Sequence, residues 1–253
     1  MEVITSRGNP LVAQIRKLNT SRSFRREQGL FVCDGPKLLG EALAWGAEVA
    51  AVLSVPGRAP EPVPGARMVE VPEDLLKSLS TTEIPQGVLF LCRLPDLRMP
   101  ERLTGSRYLV LDGVQDPGNV GTIWRTADAL GADGLLLLPG CADPFSPKTV
   151  RASMGACFRL PVWELGREAL LPALDRAGLP LYATALRADT EDVRRADLSR
   201  CAVVIGSEGR GVSPETLALC GKTLKIPMRD RCESLNAAVA AAVVLWEMAR
   251  GTI

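Results

Sequence analysis

With 253 residues, 47% of them apolar, the chain is long enough for one large domain or two modest ones, each burying a core without disulfide or metal staples. Thirty Lys and Arg against 29 Asp and Glu leave a net charge of +1, so no whole-molecule field marks a polyanionic partner. The absence of histidine removes serine-histidine and cysteine-histidine catalysis, and seven cysteines without a C-x-x-C pair argue against zinc.

Those cysteines (Cys33, Cys92, Cys141, Cys157, Cys201, Cys220, Cys232) lie far apart in apolar surroundings, the pattern of reduced thiols in a cytoplasmic protein. The polar start, Met1 to Asn9, lacks the apolar core of a signal peptide. The longest apolar stretch, Ala237 to Trp246, is too short for a bilayer span, so neither membrane nor metal is expected as a partner.

In chain order, the first thirty residues carry Arg7, Arg16, Lys17, Arg22, Arg25 and Arg26 against only Glu2 and Glu27, a local basic excess. Helical spacing runs from Leu11 to Leu18 and from Lys37 to Trp45; Val49 to Val55 reads as a short strand stopped by Pro56-Gly57. Four prolines between Pro56 and Gly65 predict a loop, and Gly87 to Cys92 a buried strand. Between Leu94 and Ser106 the composition turns polar, which places a boundary between a smaller N-terminal α/β domain, 1–100, and a C-terminal domain, 101–253.

Beyond that boundary strands and helices alternate. Tyr108 to Leu111, Leu135 to Leu138, Leu179 to Ala185 and Ala202 to Ile205 are apolar runs typical of strands covered on both faces. Helical patterns at Val120 to Leu130, Thr149 to Phe158 and Glu168 to Ala177 separate them, and a last helix is expected from about Leu235 to Arg250. The class is α/β with a mostly parallel sheet.

Three turn-rich segments sit where strands end, which is where open α/β sheets bind ligands. The first, Asp112 to Arg125 (DGVQDPGNVGTIWR), has neither G-x-G-x-x-G nor G-x-x-x-x-G-K-[ST] spacing, which disfavours a dinucleotide site and excludes a P-loop. On local grounds Asn119 reads as a helix cap, and Arg125, opposite the stripe of Val120, Ile123, Trp124, Ala127 and Leu130, as a solvated arginine beside Asp128. The second, Val203 to Pro214 (VVIGSEGRGVSP), sets three glycines around Glu208, with Ser213 as a candidate cap. In the third, Lys225 to Asn236 (KIPMRDRCESLN), Ser234 is compatible with an N-cap and Asn236 with a first-turn residue.

Taken together and in this order, the three segments resemble the sequence motifs of the SpoU (TrmH) family of RNA 2′-O-ribose methyltransferases in the SPOUT superfamily. The resemblance is close from Tyr108 to Arg250. It extends more loosely to FVCDGPKLLGEAL (Phe31 to Leu43) and LSTTEIPQGVLFL (Leu79 to Leu91), which look like the family's substrate-binding domain, except that Cys33 and Asp34 depart from its usual pattern before Gly35.

The resemblance implies a deep trefoil knot in the C-terminal sheet and S-adenosylmethionine held by Thr184, Gly206, Ile226, Met228 and Leu235. It implies a catalytic set of Asn119, Arg125, Glu208, Ser234 and Asn236, which must converge on that pocket, and a homodimer formed through the C-terminal domain. Val239, Ala242 and Trp246 form one stripe of the last helix, open between that interface and the core. The basic residues Arg7, Arg16, Lys17, Arg22, Arg25 and Arg26 are the candidate RNA contacts, with ribosomal RNA, the 23S molecule first, preferred to transfer RNA as substrate. A non-catalytic RNA-binding or ribosome-assembly protein of the same fold is the competing class, separable by titration with S-adenosylmethionine. A nucleotide-dependent oxidoreductase is more distant, for lack of the fingerprint.

Overall fold

The computed structural model describes residues 2–185, 190–229, 231 and 234–251. Its elements are, in order, β1 (Glu2–Val3), α1 (Pro10–Thr20), α2 (Arg22–Gln28), β2 (Leu30–Asp34), α3 (Pro36–Ala44), β3 (Val49–Ser54), β4 (Arg67–Glu70), α4 (Glu73–Leu79) and β5 (Val88–Arg93). There follow β6 (Arg107–Asp112), α5 (Pro117–Ala129), β7 (Gly134–Leu137), α6 (Pro147–Ser153), β8 (Val162–Glu164), α7 (Arg167–Ala177) and β9 (Leu181–Thr184). The chain closes with β10 (Glu191–Asp192), β11 (Cys201–Gly206), α8 (Pro214–Leu217), β12 (Lys222–Lys225) and α9 (Ala237–Ala249).

Two compact units result: residues 1–96 with 143–158, and residues 97–142 with 159–253. The first holds a mixed sheet in the order β1-β4-β3-β5-β2, parallel across β1, β4 and β3 and antiparallel where β5 joins β3 and β2. Its core sets Leu11, Val12, Ile15 and Leu18 of α1 and Leu75, Leu76 and Leu79 of α4 against the sheet. Residues 143–158 pack here although the chain reaches them from the second unit, because Phe145 meets Phe31 of β2 edge-on at 4.8 Å. A ring buried this way stabilises by area and by quadrupole contact at once.

The second unit holds a wholly parallel sheet, β10-β12-β9-β11-β6-β7-β8, as the apolar runs require. Its central strands β11 and β6 run in register from Cys201 beside Arg107 to Gly206 beside Asp112, so their turns emerge together.

Several helix ends differ from the sequence reading, α5 among them, which starts at Pro117 because Asp116 caps it. The helix expected over Thr149 to Phe158 stops at Ser153, since Met154 (φ 50°) and Gly155 (φ 91°) both take left-handed conformations that no α-helix continues through. The last helix starts at Ala237, two residues later than expected, because Asn236 is its cap. The other new elements, β2, α2, β4, α4, β8 and β10 among them, are short and declared by their neighbours: α6 lies against β2 and belongs to a segment more than a hundred residues away.

The described cysteines are free thiols, and Cys232 lies outside the described residues. Among the described residues no helix is long and apolar enough to cross a membrane, and no cluster of side chains could hold a metal ion.

Candidate active site

Parallel strands deliver their C-terminal turns to one edge of the sheet, and three such turns meet at one cavity of about 530 Å³. Thr184 at the end of β9, Gly206 at the end of β11, and Ile226, Met228 and Leu235 after β12 all line it. Ser234 and Glu208 line it too. The walls are largely aliphatic, with backbone and a few polar groups between them, as a small-molecule site needs.

Gly206 is there for space. A Cβ on it would stand 2.0 Å from the Gly211 carbonyl carbon and 2.1 Å from the Val212 nitrogen, both backbone atoms that cannot swing aside. The Ser207–Gly211 turn is itself closed by reciprocal backbone hydrogen bonds of 3.0 and 2.9 Å. If the cavity holds the S-adenosylmethionine that the resemblance implies, a Gly206→Ala chain is expected to displace this turn and weaken binding of that donor at least tenfold by calorimetry; unchanged affinity would show that the turn does not shape the pocket.

Asp112, which sequence reasoning passed over, anchors the same turn. It ends β6, is buried, and accepts hydrogen bonds from the Ser213 N–H (2.8 Å) and hydroxyl (2.6 Å). Ser213 also caps α8 as expected, and Arg167 reaches Thr216 at 2.9 Å and Asp112 at 3.6 Å. The available signal was a carboxylate closing an otherwise apolar strand, where only a waiting donor tolerates it.

The polar residues of the three segments meet beside the cavity. Asn236 caps α9, its Oδ1 accepting from the N–H groups of Ala238 (2.9 Å) and Val239 (3.3 Å), which turns its amide nitrogen outward. That nitrogen donates to Asn119 Oδ1 at 3.1 Å, and Asn119 Nδ2 donates to Glu208 Oε1 at 2.8 Å. The Gln115 N–H adds a weaker contact to Glu208 Oε2 at 3.4 Å. The chain of donors runs one way, from a helix end to a carboxylate. Asn119 is free for it because Asp116, not Asn119, caps α5.

These donors settle the charge on Glu208. Burial pushes its carboxyl up, but the Asn119 amide and the backbone N–H groups of Glu208, Gln115 and Asp116 outweigh it and hold the group below the ordinary carboxylate range. With the folded value depressed, the stabilisation these bonds provide is present above the unfolded pKa and fades as pH falls through the folded one. Asn119→Ala removes the leading donor and is expected to move the Glu208 titration upward in a carboxyl ¹³C NMR experiment; a fixed midpoint would show that the amide is not coupled to the charge.

Arg125 is the exception. It is exposed on α5, lies outside the cavity lining, and forms no hydrogen bond or ion pair with a described residue. Six residues beyond Asn119, it sits about 9 Å along the axis and about 120° round from it. The local pairing with Asp128 is not formed, because Asp128 accepts from Arg159 at 2.8 Å. One chain thus brings together Asn119, Glu208, Ser234 and Asn236 and leaves Arg125 out.

The N-terminal basic residues also divide. Arg25 is a correction: it is buried, with its guanidinium committed to Asp143 (Nε, 2.9 Å) and to the Leu18 carbonyl, so it is a structural residue of the first unit and not a surface contact. Arg7 pairs with Asp74 at 2.8 Å in the open, and Lys17 lies 4.2 Å over the Phe24 ring. Arg16 and Arg22 are exposed and Arg26 half-buried.

The α9 stripe faces outward. The helix buries Ala237, Ala238, Ala241, Val244, Leu245, Met248 and Ala249 and leaves Val239 50% and Trp246 61% exposed.

Comparison with known proteins agrees with this architecture. Residues 106–246 match the SpoU rRNA Methylase family and residues 9–89 the MRM3-like substrate binding domain. The chain is 33% identical to the 23S rRNA (guanosine(2553)-2'-O)-methyltransferase RlmP of Bacillus subtilis, over 98% of this chain and 99% of that one. Among solved structures it resembles an AdoMet-bound rRNA methyltransferase from Sinorhizobium meliloti (TM-score 0.88, 33% identity, 100% and 98% of the two chains). It also resembles the SpoU methyltransferase AviRb of Streptomyces viridochromogenes in complex with AdoMet (TM-score 0.85, 30% identity, 96% and 98%). The chain belongs to the SpoU rRNA methylase family.

Proposed function

We propose that this chain methylates a ribose 2′-hydroxyl of ribosomal RNA with S-adenosylmethionine as donor, acting as a cytoplasmic homodimer. The observation that carries the reading is the meeting of Asn119, Glu208 and Asn236, from three distant segments, at the rim of a cavity lined by Thr184, Gly206, Ile226, Met228 and Leu235. The relatives named as ribosomal RNA methyltransferases support the substrate, and the neighbours described with AdoMet support the donor.

Apolar walls and a glycine-shaped turn suit a group that is part adenine, part sulfonium and part amino acid, and Thr184, Gly206, Ile226, Met228 and Leu235 would hold it. When bound, S-adenosylmethionine supplies an already activated methyl group, so the chain's own task is alignment and a more nucleophilic oxygen. Glu208, kept ionised, orients a sugar hydroxyl or a cation; Ser234 and Asn236 position substrate and cofactor by hydrogen bonds. Arg125, whose guanidinium carries donors and no acceptor, is a poor base and serves better as a clamp on phosphate or on the 2′-oxygen.

The homodimer gives Arg125 a place to act. Arg125 is exposed on α5 and lies outside the lining of its own cavity, whereas a second copy docked on the exposed Val239 and Trp246 stripe of α9, the helix packed against α5, would bring it to the partner's cavity. The trefoil knot belongs to the same reading, as a way for the late turns to close over one pocket.

The deciding experiment incubates the protein with radiolabelled S-adenosylmethionine and ribosomal RNA from cells lacking it, then maps alkali-resistant ribose methylation. Label at one ribose of 23S RNA is expected; label only in transfer RNA or on a base would overturn the reading. Replacing Arg16, Lys17 and Arg22 together by Ala is expected to flatten the salt dependence of RNA binding by about 2 in the log–log slope; an unchanged slope would remove this patch from the interface.

A further inference from the structure

We propose that the first unit carries a nucleobase-binding cleft selective for guanine; the inference rests on the RNA-methylating reading and adds a second point of recognition to it. The cleft, about 230 Å³, is lined by Asp34, Lys37, Thr82, Ile84, Gln86 and Arg151. Its size is below that of sites enclosing drug-sized ligands, which suits one base rather than a nucleotide.

Its construction is specific. Asp34 closes β2, and its Oδ2 accepts from the Ser80 hydroxyl and, at 3.5 Å, from that of Thr82. Those two hydroxyls lie 2.8 Å apart and Ser80 also accepts from the Thr82 N–H at 3.0 Å, so the loop after α4 is wound tightly around one carboxylate oxygen. Oδ1 has no hydrogen-bond partner among the described residues. Burial raises the Asp34 carboxyl in spite of these donors and of the nearby Arg151 charge.

Cations and amides complete the wall. Arg151 is steadied by the Thr81 carbonyl at 3.1 Å, while Lys37 and Gln86 have no hydrogen-bond partner among the described residues. Gly35 (φ 100°) lets Gln86 lie across it, since a Cβ there would be 3.1 Å from Gln86 Oε1. No side chain caps α3, and Lys37 and Leu38, whose first-turn N–H groups are left over, both line the cleft. Ile84 is 86% exposed and offers an apolar surface for a flat ring.

Two carboxylates in the lining, Asp34 and Glu41, make this a poor phosphate site. Guanine fits the polarity instead: its N1–H and N2–H donate side by side to a carboxylate, and O6 and N7 accept from a cation or N–H. Adenine and cytosine offer a single amino group there, and uracil a single imide N–H.

The test uses the full chain and fluorescently labelled nine-nucleotide oligouridylates carrying one central guanosine, inosine, adenosine or uridine. Guanosine is expected to bind at least tenfold tighter than uridine or adenosine, with inosine, lacking the 2-amino group, between them. Asp34→Asn should abolish the preference while leaving all-uridine affinity unchanged. If that variant fails to fold, Lys37→Gln and Ile84→Ser, both at exposed positions, should each weaken guanosine binding severalfold. Equal affinity for all four probes, or a guanosine preference that survives these changes, overturns the cleft. Methyl transfer to ribosomal RNA measured on the same preparations separates the two failures: transfer persisting without base preference sinks the cleft alone, and loss of both sinks the parent reading as well.

Discussion

An Arg125→Ala chain is expected to lose methyl transfer by about 10² or more while keeping its affinity for S-adenosylmethionine and its stability. Stability should hold because the side chain is exposed and bonds to no described residue, and such changes stay within about 0.5 kcal/mol. Affinity should hold because Arg125 lies outside the lining of the cavity that would take the donor. A fall in turnover without a fall in donor binding is the signature of an interaction made with the reacting substrate.

The same residue tests the homodimer. If Arg125 serves the partner's cavity, mixing Arg125→Ala with Glu208→Gln chains places one intact site in each mixed dimer. Activity well above that of either variant is then expected. Near-normal turnover by Arg125→Ala alone would remove the residue from catalysis, and mixtures no more active than their components would confine each site to one chain.

Arg25→Ala should be the most damaging change to the first unit, at about 3–5 kcal/mol in a denaturant titration. Both side chains of the Arg25–Asp143 pair are almost wholly buried, so removing the guanidinium leaves an unpaired carboxylate and an unsatisfied Leu18 carbonyl away from water. The cost comes from what is orphaned rather than from the worth of the pair. Arg25→Met with Asp143→Leu is accordingly expected to recover the share of the loss due to the orphaned carboxylate, the Leu18 carbonyl staying without its donor. A single mutant destabilised by less than about 1 kcal/mol would mean that solvent reaches Asp143.

Arg25 also shows where sequence reasoning stops. In the chain it is one of six basic residues before position 30, and nothing within a few residues separates it from Arg22 or Arg26. Its fate is decided by Asp143, 118 positions away. Asn119 fails locally for a similar reason: Asp116 and Asn119 are both good caps three residues apart, and the one that takes the role frees the other for Glu208. The α9 stripe needed the packed helix before Val239 and Trp246 could be assigned to the outside.

By itself the sequence determined what short-range physics can write. Apolar runs between turn clusters specify a parallel sheet, glycine and proline mark where strands stop, and three ordered turn segments carry the family's signature. Only the tertiary structure decided which of those turn residues meet. The bonds from Asn119 to Glu208 and from Asn236 to Asn119 join positions 89 and 117 apart, and whether they close depends on β11 lying beside β6 and on α9 returning to α5. Steric and helical preferences act over a few residues, whereas a site closes through strand order, which no local window contains.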